Sequence, residues 1–120
     1  MKKTLIPILA VVAAACATTP PTELTQAREL YTEVSSGAAA KYAPTELYEA
    51  QKMLNAANRS FDDYGDIAET RDWAYLALRK TELAQTRTRA AQHLMCASAD
   101  RQAAREARQG AMESARSDML

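Results

Sequence analysis

The stretch IAETRDWAYLALRKTELAQTRTRAAQHLMCASADRQAAREARQGAMESARSDM, Ile67–Met119, decides the fold. It contains no proline and a single glycine, Gly110, so nothing in it forces the chain to turn. An unbroken helix of that length would run roughly 80 Å at ~1.5 Å per residue. Leu76, Leu83, Ala90, Ala97, Ala104 and Ala111 recur every seven residues, a heptad stripe of the kind that lines a helix seam. Midway the stripe changes character. Trp73, Leu76, Leu78 and Leu83 are large, whereas beyond Arg87 the apolar positions are mostly alanine with Leu94, Met95, Met112 and Met119. Ser98 and Asp100 are each able to cap a fresh helix, so a break near 98–100 is the alternative to one continuous helix.

Upstream the spacing is also helical. Leu24, Ala27, Tyr31, Val34 and Ala38 step by threes and fours, as do Leu47, Ala50, Leu54, Ala57, Phe61 and Tyr64. Thr22 is the expected cap of the first helix. Pro44 is expected to open the second, where its missing N–H costs nothing. Gly65 is placed just past the end of that helix, with Asp66 as the next cap. The second helix is long enough to cover only the first part of the third. The reading is therefore all-α: a small three-helix antiparallel bundle with a long, overhanging C-terminal helix. The helical domain spans 23–120, its core about 23–86 and its extension about 87–120. Leu54, Phe61, Trp73, Leu76 and Leu83 are the expected buried anchors.

Composition agrees with that class. Of the 120 residues 26 are alanine, against three Gly and one Phe, too few turn and strand formers for a β-sandwich or a doubly wound sheet. Fifteen basic and fifteen acidic side chains balance, which removes the electrostatic footprint of a nucleic-acid binder.

Met1-Lys2-Lys3 is basic, and Leu5–Ala15 is apolar but far shorter than the ~20 residues that cross a bilayer as a helix. With Ala13-Ala14-Ala15 before Cys16, residues 1–15 read as a secretory signal peptide. Cys16 in that place is similar to a bacterial lipobox cysteine, although Ala13 stands where leucine is commoner. The resemblance implies that Cys16 is lipidated, becomes the mature N-terminus and ties the chain to the lipid bilayer. Ordinary signal cleavage is the competing reading. Residues 16–22 then form the lipidated cysteine and a spacer. Ala17 after the cysteine implies, for a cell with two membranes, the outer membrane facing the periplasm.

Tyr42-Ala43-Pro44-Thr45-Glu46-Leu47 and Ala74–Ala84 together resemble an uncharacterised family of helical bacterial lipoproteins. Its domain often precedes an OmpA-like peptidoglycan-binding domain. The resemblance covers roughly residues 20–90 and implies a fold and a location, not an activity. No room for an OmpA-like domain is left within these 120 residues, so wall binding is not carried over. In the motif Pro44 is expected to set the bend and Tyr42 to pack over it. Glu46 is expected to sit in a first helical turn, where the dipole favours an acid.

Chemistry is sparse. His93, Cys96 and Asp100 fall on one helical face, but a closed zinc site wants four ligands, so no metal and no cofactor are expected. Cys96, without a partner if Cys16 is lipidated, is a candidate for a disulfide between chains. Asp62, Asp63 and Asp66 lack the alternating ligands of a calcium loop and read as a turn. Trp73, Tyr75 and Tyr48 read as core packing. No nucleophile triad or phosphate loop is present, so no catalytic residue and no small-molecule substrate are expected. Arg101, Arg105 and Arg108 share one face beside Ala97, Ala104 and Ala111, and these six are the candidate partner-binding residues. The expected function is a non-enzymatic envelope lipoprotein, a helical spacer or adaptor that engages another envelope protein or itself. The alternative is a helical-hairpin module that grips a peptide.

Overall fold

A computed structural model describes residues 18–120. Cys16 and the signal segment lie outside the described residues. Four helices and no strand occur among those described: α1 Thr22–Ser35, α2 Ala39–Tyr42, α3 Pro44–Tyr64 and α4 Ala68–Asp118. α4 is one 51-residue helix that passes through 98–100 without a break. Alanine, arginine, glutamine and glutamate dominate that stretch, and all are strong helix formers. Helix initiation, the costly step, is supplied by the packed first half.

Pro44 occupies the opening turn of α3, and Gly65 closes that helix at φ 76°, a left-handed conformation that only glycine adopts without strain. Two expected caps fall elsewhere. Thr22 is already inside α1, with Pro21 at the cap position, and Ile67 rather than Asp66 precedes α4. Asp66 instead accepts two hydrogen bonds from Arg71, both 2.7 Å. The α3–α4 turn is closed from within: Ser60 Oγ donates to Thr70 Oγ1 at 2.8 Å, and Thr70 Oγ1 donates to the Gly65 carbonyl at 2.9 Å.

α1 and α3 both pack on the first half of α4. One core cluster joins Leu24, Ala27, Leu54, Ala57, Ala74 and Ala77, and a second joins Val34, Ala39, Ala43, Leu47 and Ala84. Arg28 Nε donates to Asn58 Oδ1 at 2.8 Å and ties α1 to α3. The short α2, absent from the sequence reading, contributes Ala39 to the second cluster.

The buried line of α4 differs from the expected one. Thr70, Ala74, Ala77, Thr81, Ala84 and Thr88 are buried, whereas Leu76 and Leu83 are 42% and 38% exposed on the outer side. Phe61 and Trp73 are half-buried against the core, and Tyr64 is exposed. The inner line steps 4, 3, 4, 3, 4, as regular a stripe as the leucine one and narrower. Small side chains let α1 and α3 approach closely. The threonine hydroxyls are satisfied inside the helix, Thr81 and Thr88 each donating at 2.8 Å to the carbonyl four residues back.

Candidate functional site

The motif Tyr42–Leu47 sits where α2 meets α3. Ala43 and Leu47 are buried, and Tyr42 is half-buried with the Lys41 ammonium 5.1 Å from its ring centre. Glu46 does more than complement a helix dipole. Its carboxylate is buried and accepts a hydrogen bond from Arg87 of α4. One turn on, Glu49 accepts from Lys80. These two pairs clasp the N-terminal half of α3 to α4, in the register of an antiparallel hairpin. Arg87 lies 41 residues after Glu46, so no local spacing advertises the pair. The signal was the order of charges, acids at 46 and 49 running against bases at 87 and 80.

The side of the α3–α4 hairpin away from α1 is open. There Met53, Ala56 and Trp73 floor a groove of 510 Å³ edged by Lys52, Arg59 and the Lys80–Glu49 pair. Trp73 Nε1 donates to Glu69 at 3.4 Å. Tyr48 and Tyr75, expected in the core, are 63% and 49% exposed. Each carries a cation over its ring, Lys52 at 5.9 Å and Arg79 at 5.0 Å. A hydrogen bond and the charge of Lys80 hold the Glu49 carboxyl below the usual carboxylate range, and Arg71 does the same for Asp66. These shifts hold charges more firmly at neutral pH, the opposite of what a general acid or base requires.

Beyond Ala91 every residue of α4 is exposed. Ala97, Arg101, Ala104, Arg105, Arg108 and Ala111 all lie in this uncovered half, together with His93, Cys96 and Asp100. Arg101 Nε donates to the Ala97 carbonyl at 3.1 Å, and Gln102 Nε2 donates to Glu106 at 3.0 Å. A heptad stripe drifts ~20° per repeat on a straight helix, so Leu76 and Ala111 point in clearly different directions. Leu76, Leu94 and Met112, each 18 residues apart or about five turns, share one line, with Leu83 and Met119 close beside it. This exposed apolar row has no single repeat to mark it in the sequence: its members step by 7, 11, 18 and 7.

Among the described residues no helix is long and apolar enough to cross a membrane. Residues 22–119 match the DUF4398 family, a domain of unknown function. The chain belongs to the DUF4398 family. The match takes in the residues of the clasped hairpin and of the uncovered half of α4 alike. No curated protein and no solved structure matches the chain.

Proposed function

We propose that this DUF4398 protein is a non-enzymatic lipoprotein of the cell envelope, held by lipidated Cys16 at the outer membrane and facing the periplasm. In this reading α1, α3 and the first half of α4 are a small three-helix antiparallel bundle. The second half of α4 is a helical adaptor that engages another envelope protein. One observation carries the reading: α4 continues as helix from Gln92 to Asp118 with no residue buried. Isolated helices are marginal in water, and alanine adds almost no transfer energy. A stretch kept free of proline there is best understood as a surface held out for contact. Small side chains at Ala97, Ala104 and Ala111 let a second helix approach, and Arg101, Arg105 and Arg108 set its register against acidic groups.

Two experiments test it. Cys16→Ser is expected to release the protein from the membrane, since no other segment supplies ~20 apolar residues. Complete membrane partition of that variant after a salt wash would remove the anchor. Replacing Ala97, Ala104 and Ala111 with glutamate is expected to leave melting of the folded part unchanged and to abolish in-cell cross-linking from a photoreactive residue at Arg108. Identical cross-linking from wild type and triple variant would reduce this half of α4 to a solvated tail.

A further inference from the structure

Lys52, Ala56 and Arg59 on α3 are spaced i, i+4, i+7, and so are Glu106, Gly110 and Glu113 on the uncovered half of α4. Two cations with a small residue between them on one helix face two carboxylates with a small residue between them on the other. Both charged pairs are about 10 Å apart at ~1.5 Å per residue. In each set the small residue comes four positions after the first charge and three before the second, so the sets coincide only when the helices run parallel. Lys52 and Arg59 edge the open groove, whose floor is Met53, Ala56 and Trp73. Neither forms a salt bridge among the described residues. A Cβ added at Gly110 would meet nothing within 4 Å, so that face is open.

We infer that the uncovered half of α4 docks in the α3–α4 groove of a second copy of this chain, Glu106 against Lys52 and Glu113 against Arg59. α3 and α4 are antiparallel, so the two copies of α4 run antiparallel to each other. The midpoint between Trp73, in the groove, and Gly110 falls between Ala91 and Gln92, where the cover of α1 and α3 ends. One two-fold axis there seats both free halves in both grooves at once, which closes the assembly as a dimer rather than a fibre. The exposed row on α4 agrees: Leu76 adjoins Trp73 and Lys80 at the groove edge, and Leu83, Leu94 and Met112 continue along the seam. The pairing withdraws from water an apolar row that a single copy leaves exposed.

The inference rests on the proposed reading only in taking this half of α4 as a docking element. Glu113 lies nine residues, about two and a half turns, from Ala104 and so on the opposite side of the helix from the alanine face. The test uses the full chain in cells with Cys96→Ser as background. Ala56→Cys combined with Gly110→Cys is expected to give a disulfide-linked dimer under copper–phenanthroline oxidation, and neither change alone to do so. An intrachain bond is excluded by the ~55 Å of helix that separates Gly110 from Trp73. Adding Lys52→Glu and Arg59→Glu is expected to lower the dimer yield at least about fivefold. Adding Glu106→Lys and Glu113→Lys to those is expected to restore it. A double-cysteine yield no higher than the single variants', or indifference to charge reversal, overturns the inference. Cross-links from Arg108 to another protein in the same cells would then leave the adaptor reading standing. Their absence would sink both.

Discussion

Leu24→Ala is expected to cost about 2–5 kcal/mol of folding stability, and Leu76→Ala to change it by no more than ~0.5 kcal/mol. Leu24 has no exposed surface and is among the largest fully buried side chains. It packs in a cluster rich in Ala27, Ala57, Ala74 and Ala77, and alanines have no side-chain torsion with which to swing into a void. The cavity therefore stays open and its full cost is felt. Small domains hold only about 5–15 kcal/mol in total, so the loss is a large share. Leu76, equally large, sits 42% exposed on the outer side of α4 and outside both core clusters, so within a single copy it surrenders little contact. Urea unfolding followed by circular dichroism compares the two variants directly. Equal destabilisation would show that Leu76 is an inner residue after all.

Ala77→Leu is expected to destabilise by about 1–3 kcal/mol, where the same change at Ala104 does almost nothing. Ala77 is 1% exposed, in the inner line against which α1 and α3 are drawn up. Three extra carbons there have no space unless the helices separate, which loosens Leu24 and Leu54 as well. Leucine and alanine are both good helix formers, so backbone propensity does not blur the comparison. Thermal melts of Ala77→Leu and Ala104→Leu provide the measurement. An Ala77→Leu variant as stable as wild type would mean that the helices are not closely packed.

Helix content and hairpin order were legible in the sequence because Gly65, Pro44 and the absence of other breakers are local signals. The faces of α1 and α3 were legible too, since Leu24, Ala27, Val34, Leu47, Ala50 and Leu54 unite regular spacing with apolar bulk. On α4 those two cues part company. Bulk points to Leu76 and Leu83, spacing points equally to Thr70–Thr88, and packing chose the smaller set because two helices must come close to it at once. Threonine is easily passed over as core, although its hydroxyl is satisfied by its own helix. The Glu46–Arg87 clasp is faint for another reason: its one signal is the antiparallel order of charges, and it joins residues that only the completed hairpin makes neighbours. The candidate partner-binding residues of the uncovered half rest on spacing alone, and an exposed helix holds no contact that singles them out.

The methyl group of Thr18 lies close to Gly65, 3.7 Å from where a side chain there would begin. The chain therefore enters beside the α3–α4 turn, at the end from which α4 departs. On the proposed anchoring the lipid is joined to the chain only two residues before Thr18, beside this end of the molecule. A lone molecule is then a mast, its foot in the bilayer and its tip at Asp118 about 75 Å along α4. The antiparallel pair has a foot at each end. With both lipids in the same membrane it lies along one leaflet like a staple, so dimerisation would change the molecule's bearing on the membrane without bending a single helix.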